Sequence, residues 1–145
     1  MSALRLVVFD VDGTLVDSQA DIVCSMGDAF GALGLSAPTR DAVLGIVGLS
    51  LPQAMSVLAP DADNARLVET YQQAYVARRA ADGAGHSSPL YPGARAAIQR
   101  LHAQPDVLLG VATGKSKRGL DLLLEAHELA PYFMTCQVAD FHPSK

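Results

Sequence analysis

The sequence predicts an α/β fold, a Rossmann-like parallel sheet whose chain is interrupted by an inserted all-helical segment. Two apolar runs of strand length, at residues 6–9 and 107–112, each end abruptly at polar residues. A helical pattern then precedes a third run of strand type at 133–138. Strands that alternate with helices are typical of a parallel sheet. The long stretch between the first two runs shows helical spacing only, which predicts the insert.

The first apolar run is the segment around which the chain is organised, because it ends in Asp10-Val11-Asp12-Gly13-Thr14. The run is typical of a strand buried on both faces of a parallel sheet. Ligands bind beyond the carboxyl ends of such strands, so a site is expected at Asp10 and Asp12. Two positions apart on an extended chain, their carboxylates would point the same way, and Mg²⁺ would relieve their repulsion. Gly13 would permit a tight turn close to a ligand.

No strand pattern appears between Val16 and Pro89, and most of this stretch is predicted to be helical. Ser18 would cap the first helix, which Gly34 would end. Further helices are predicted between about residues 39 and 81, and residues 82–89 are predicted to be a linker. The segment that contains Gly45, Gly48, Leu49 and Ser50 has two interpretations: a loop that faces the site and selects the substrate, or a plain connection between helices.

The second apolar run ends in Thr113-Gly114-Lys115-Ser116. A threonine hydroxyl at a strand end, followed by the amides that open a helix, predicts an anion site. The alternative is an ordinary helix cap by Thr113 or Ser116. Lys115 and the nearby Lys117 have two interpretations, contact with substrate or solvated lysines at a helix start, and the second is favoured.

Composition narrows the class of protein. The chain has 145 residues, half of them hydrophobic, and a net charge of −4, which predicts a globular protein and argues against nucleic-acid binding. Cys24 and Cys136 lack metal-ligand spacing and are predicted to be small buried hydrophobes in a reducing compartment. Neither a signal peptide nor a membrane-spanning run is apparent, so a cytoplasmic protein without a membrane partner is expected. Oligomeric state stays open.

The segment Asp10-Val11-Asp12-Gly13-Thr14 resembles the first motif of the haloacid dehalogenase superfamily, in the form found in phosphatases of the phosphoglycolate type. The resemblance implies an α/β core at residues 1–16 and 89–145 and a helical cap at 17–88. It also implies that Asp10 is the nucleophile and that Asp12 is the general acid and base. Mg²⁺ would be held by Asp10 and by the backbone carbonyl of Asp12, and Gly13 would leave room for phosphate.

Two further stretches extend the resemblance. Thr113, followed by Gly114, matches the family's phosphate-binding threonine. His142-Pro143-Ser144-Lys145 resembles the lysine motif, in which Lys145 would hold phosphate, although a terminal lysine without that role is the alternative. The family's fourth, acidic motif, which supplies the remaining Mg²⁺ ligands, does not occur before Lys145. We therefore expect a fragment of a longer protein or an incomplete metal site, with weak Mg²⁺ binding by this chain.

The function implied is that of a Mg²⁺-dependent phosphatase that hydrolyses a small phosphorylated metabolite. Two alternatives stay open: a sugar phosphomutase of the β-phosphoglucomutase type, which shares the first motif, and a binding module without turnover. Dehalogenases of the family lack an acid at the position of Asp12, so the presence of Asp12 disfavours dehalogenation. Phosphonatases of the family use a lysine of the cap, and residues 17–65 contain no lysine, so phosphonatase activity is disfavoured too.

Overall fold

A computed structural model of the protein describes residues 3–83 and 88–143. Lys145 and half of the predicted linker, residues 84–87, lie outside the described residues. The elements in chain order are β1 (Arg5–Phe9), α1 (Gln19–Ala32), α2 (Arg40–Gly45), α3 (Leu51–Leu58), α4 (Asn64–Asp82), α5 (Ala94–His102), β2 (Val107–Ala112), α6 (Lys117–Ala126), a 3-10 turn (Ala130–Tyr132) and β3 (Thr135–Gln137).

The three strands form one parallel sheet in the order β1-β2-β3. Phe9 of β1 lies opposite Val111 of β2, and Gly110 of β2 lies opposite Thr135 of β3. The predicted α/β class with a parallel sheet is therefore confirmed. This register brings the carboxyl ends of β1 and β2 to the same edge, where the acidic and the threonine motifs follow.

The prediction that β1 is buried on both faces is wrong. Val7 and Phe9 pack against the core, whereas 57% of Leu6 and 51% of Val8 is exposed. Within the described part of the chain, α5 and α6 contribute to the core on the Val7 face, and the Leu6 face has no such cover. An apolar run shows that a strand can be buried, but it does not show which faces find a partner.

Two separate hydrophobic clusters stabilise the molecule. One belongs to the sheet, α5 and α6, and includes Val11, Ile98, Val111, Leu120 and Leu123. The other belongs to the four helices α1–α4, and includes Met26, Phe30, Val43, Met55 and Leu67. Two adjacent segments connect them: Val16 forms an antiparallel bridge with Leu90, and the Asp17 amide donates to the Pro89 carbonyl at 2.8 Å.

Several local expectations differ from the structure. Cys24 is exposed and Cys136 is half-buried, so the prediction of two buried cysteines is wrong. The third strand is shorter than the predicted run because the Phe133 amide bonds to Ala130 in the 3-10 turn.

Among the described helices, none has the length and hydropathy that a membrane span requires.

Candidate active site

The acidic motif forms a tight turn directly after β1. The amides of Thr14, Leu15 and Val16 all donate to the Val11 carbonyl, at 3.1, 2.9 and 3.2 Å. Gly13 has φ +78°, a left-handed conformation that favours glycine, while a Cβ there would meet nothing within 4 Å. The positive φ angle therefore explains why glycine occupies position 13, and contact with neighbouring atoms does not.

The Asp12 carboxylate is held from two sides. Its Oδ1 atom accepts a hydrogen bond from Ser18 Oγ at 2.6 Å and lies 3.2 Å from Lys115 Nζ. Ser18 does precede α1, but its buried hydroxyl makes no capping bond to the helix. The predicted helix cap therefore orients Asp12 instead.

Thr113 lies at the carboxyl end of β2, and only 4% of it is exposed. Its amide donates to the Gln137 carbonyl at 3.0 Å, and its Oγ1 accepts from the Lys115 amide at 3.2 Å. The cap of α6 is Ser116, whose Oγ accepts from the Gly119 amide at 3.1 Å. Thr113 is thus not the cap of this helix, and its hydroxyl stays at the strand end.

Gly114 marks a close approach between the sheet and the helical insert. A Cβ at this position would lie 2.6 Å from the Leu49 carbonyl oxygen and 2.7 Å from that of Gly48. Of the two interpretations of the glycine-containing loop, the structure supports the loop that faces the site. Only glycine allows this packing, because the opposing atoms belong to the backbone.

Lys115 was expected to be solvated, and this expectation is wrong. Its Nζ atom lies near Asp12, donates to Tyr75 Oη at 3.3 Å, and stands 4.9 Å from the centre of the Tyr75 ring. Burial alone would lower the pKa of Lys115, but the charge of Asp12 and the contact with Tyr75 together raise it. The ammonium is therefore charged at neutral pH. Lys117, by contrast, is exposed, as predicted, and it pairs with Asp121.

A single cavity of about 640 Å³ brings these groups together. Asp10, Asp12, Thr113, Gly114 and Lys115 line it from the sheet side. The helical insert contributes mostly apolar side chains to the cavity, among them Ile22, Met26, Ile46, Leu51, Tyr71, Tyr75 and Val76. It also contributes one cation that the sequence did not predict, Arg79. No local pattern distinguishes Arg79 or Lys115 from a surface residue, since both are placed by contacts between distant segments.

The oxygen donors at this site suit Mg²⁺, which prefers carboxylate and carbonyl ligands. Asp10 and Asp12 supply such oxygens. Over residues 3–83 and 88–143, however, no group of three or more His, Cys, Asp or Glu side chains is arranged to hold a metal ion. The residues fit the ion in their chemistry and provide part of the octahedral set that it requires.

A parallel α/β fold with paired aspartates after the first strand defines a class of hydrolase, and comparison with known proteins supports that class. The family model for haloacid dehalogenase-like hydrolases matches residues 7–144. The chain therefore belongs to the haloacid dehalogenase-like hydrolase family.

The chain is also similar to individual members of this family whose enzyme activity is named. The chain is 32% identical to a phosphoglycolate phosphatase from Agrobacterium fabrum, over 90% of this chain and 58% of the relative. It is 28% identical to the phosphoglycolate phosphatase of Vibrio parahaemolyticus serotype O3:K6, over 98% of this chain and 64% of that protein. The chain thus spans less than two thirds of the length of these curated relatives.

A solved structure shows the same fold. A haloacid dehalogenase-like family hydrolase from Streptococcus pneumoniae superposes with a TM-score of 0.78 at 22% identity, covering 95% of this chain and 62% of that one. At this identity the likeness concerns the fold alone. It agrees with the parallel sheet and the order of elements described above.

Proposed function

We propose that the protein is a phosphatase that hydrolyses small phosphomonoesters through an aspartyl-phosphate intermediate. The observation that carries the proposal is the common cavity, in which Asp10 and Asp12 of the first strand end face Thr113 and Lys115 of the second. A carboxylate nucleophile beside anion-binding groups is what phosphoryl transfer requires. The similarity to two phosphoglycolate phosphatases supports a small phosphorylated metabolite as substrate.

In the proposed reaction, the Asp10 carboxylate attacks phosphorus and the bond to the ester oxygen breaks. Asp12, which lies beside Lys115 as a carboxylate and must first take up a proton from solvent, gives that proton to the departing alcohol, and the phosphoryl group stays on Asp10. Asp12 then takes a proton from water, which attacks phosphorus and frees both phosphate and Asp10. The hydrogen bond from Ser18 and the contact with Lys115 support this role because they fix the direction of the Asp12 carboxylate.

The groups at the end of β2 would bind the phosphate. Thr113 offers a hydroxyl, and Lys115 offers a charged ammonium within reach of Asp12. The resemblance assigns a phosphate-binding role to Lys145 as well. We assign to Gly114 the task of letting the helical insert close over the phosphate, because its missing side chain leaves room for the Leu49 carbonyl.

Mg²⁺ is part of the proposal. The Asp10 carboxylate and the Asp12 backbone carbonyl would hold it, and when bound it would neutralise charge on the transferred phosphoryl group. The other ligands would be water, substrate oxygens or groups outside the described residues. Loading is therefore expected to depend strongly on the presence of substrate.

We also propose that residues 17–88 act as a cap that moves relative to a core of residues 1–16 and 89–145. The two hydrophobic clusters and the paired connections at Val16 and Leu90 support this division. Closure of such a cap would exclude water from the phosphoenzyme until hydrolysis.

The test is phosphate release from phosphoglycolate in the presence of Mg²⁺, measured for the wild type and for Asp10→Asn. The amide cannot attack phosphorus, so turnover is expected to disappear. Asp17→Asn is the matched control, since Asp17 lies just beyond the turn and bonds to the Gln19 amide rather than lining the cavity. Near-wild-type release by Asp10→Asn, with deamidation excluded by mass spectrometry, would remove Asp10 from the mechanism.

The two alternatives give different products. A phosphomutase would convert β-glucose 1-phosphate to glucose 6-phosphate with little free phosphate. A binding module would bind orthophosphate at the Thr113 end without hydrolysing any ester. Product analysis on the same preparation therefore separates all three functions.

A further inference from the structure

Arg79 is a buried cation whose terminal nitrogens lack a hydrogen-bond partner. Only 6% of the residue is exposed, and within residues 3–83 and 88–143 neither Nη1 nor Nη2 has a hydrogen-bond acceptor. Buried charges in folded proteins are normally paired, because an unpaired one loses its hydration without compensation. Arg79 lines the same cavity as the paired aspartates. A cation in this state, in the wall of a cavity, indicates an anionic ligand.

Burial sets Arg79 apart from Arg118, an exposed cation that also lines the cavity, and the lack of an ion pair sets it apart from Lys115. Its guanidinium carbon lies 5.8 Å from the centre of the Tyr75 ring, which also contacts Lys115. Lys115 is paired with Asp12, whereas the ion pairs of the described residues do not include Arg79. The two cations therefore share one aromatic neighbour, and only one of them has an acid.

Most of the cavity lining on the side of the helical insert is apolar, so it contains few polar groups. Ile22, Met26 and Val76 are among the apolar residues that line it on the side of the helical insert. In a mostly apolar cavity, the small number of polar groups determines which ligand binds and in which orientation. A volume of about 640 Å³ also leaves space beyond the phosphate that would contact Thr113.

We propose that Arg79 binds a second anionic group of the substrate while the reacting phosphate lies at Asp10. The inference rests on the proposed function and deepens it, since it names the residue that would bind a second oxyanion of the substrate, either a carboxylate as in phosphoglycolate or a further phosphate. A guanidinium suits both because its planar fork pairs with two oxygens at once. Arg79 is then the residue that selects the substrate.

The test is binding of unreactive probes to the full chain, measured by calorimetry. Phosphonoacetate carries a second carboxylate, methylenediphosphonate carries a second phosphonate, and ethylphosphonate carries no second anion. The wild type is expected to bind at least one of the two probes that carry a second anionic group about 10- to 100-fold more tightly than ethylphosphonate. Whichever is tighter identifies the second group.

In Arg79→Met this preference is expected to disappear, with affinity for ethylphosphonate unchanged. Arg78→Met is the matched control: Arg78 is adjacent on α4, pairs with Asp28 at 2.7 Å and does not line the cavity. It should keep the wild-type preference. If Arg79→Met fails to fold, Arg79→Lys replaces it, and its preference should fall below that of the wild type because the planar fork is lost.

Thermal unfolding supplies an independent measurement. Without ligand, Arg79→Met should melt at the same temperature as the wild type or higher, since it removes an unpaired buried charge. A lower melting temperature with an unchanged preference would assign Arg79 to the fold alone and overturn the proposal. Equal affinity of the wild type for all three probes, or no binding of any, would also overturn it.

These measurements need no turnover, so they separate this inference from the proposed function. Loss of the preference alone would leave phosphate release from phosphoglycolate as evidence for a phosphatase. Retention of the preference, together with full activity of Asp10→Asn, would leave the anion site intact and remove the proposed mechanism.

Discussion

The Nζ atom of Lys115 lies 3.2 Å from Oδ1 of Asp12 and thereby links the ends of two neighbouring strands. The side chains are 11% and 14% exposed, so water screens the pair little. Partly buried pairs of this kind hold geometry more firmly than surface pairs, and removing one partner leaves the other without compensation. The contact joins the proposed general acid to the proposed phosphate-binding strand end.

Lys115→Met should lower the free energy of unfolding by about 1–3 kcal/mol, because the buried Asp12 carboxylate loses its cationic partner. Urea unfolding measures the change. Lys117→Met is the control: Lys117 is exposed beside Asp121 on the same helix, and its loss should change little. Equal effects of the two substitutions would show that the Asp12 contact adds nothing to stability.

The stabilising effect of Lys115 on the fold should depend on pH. The pKa of Lys115 is raised in the folded state, so its contribution is complete below the ordinary lysine pKa and is lost as pH rises through the folded value. The difference in unfolding free energy between wild type and Lys115→Met should be constant from roughly pH 6 to 9 and shrink above about pH 10.4. A difference that disappears before pH 9 would contradict a raised pKa.

Asp12→Asn should reduce phosphate release by about 10²–10⁴-fold, because proton transfer is lost while the nucleophile remains. The loss should be smaller with p-nitrophenyl phosphate, whose leaving group needs less protonation. Ser18→Ala removes only the 2.6 Å hydrogen bond to Asp12 and should cause a milder decrease. A loss below about tenfold in Asp12→Asn would exclude general acid catalysis by this residue.

Gly114→Ala should disturb the contact between the sheet and the loop at Gly48 and Leu49. The new Cβ would lie 2.6 Å from a backbone oxygen, so the loop must move, at a cost of about 1–3 kcal/mol. Hydrogen exchange should accelerate at Leu49, and KM for phosphoglycolate should rise. Gly45→Ala is the control, since a Cβ there meets nothing within 4 Å. Unchanged exchange at Leu49 would show that the loop does not close tightly on Gly114.

The exposed face of β1 should promote self-association. Replacing Leu6 and Val8 together by threonine should reduce concentration-dependent association in light scattering with little loss of stability, because both side chains are largely exposed. Val7→Thr, one residue away, should instead destabilise the fold, since Val7 packs against the core. Association that survives the double substitution would locate the contact elsewhere.

Local patterns in the sequence determined a large part of this molecule. The apolar runs predicted β1 and β2, and the polar residues at their ends placed Asp10, Asp12 and Thr113 at one edge of the sheet. Helical spacing predicted the elements that carry Leu120, Leu123 and Leu124, all of which are buried. These features follow from backbone periodicity and strand polarity, which neighbouring residues encode.

Tertiary structure alone decided the rest. Lys115 and Arg79 have the sequence context of surface residues, yet both are buried around Tyr75 because segments distant in the chain pack together. The Ser18 hydroxyl had a helix end available and bonds to Asp12 instead. Leu6 and Val8 have the apolar character of a core strand, and no described element covers them. In each case the outcome depends on which partner a side chain meets in space, and that information is spread over the whole chain rather than held in any local pattern.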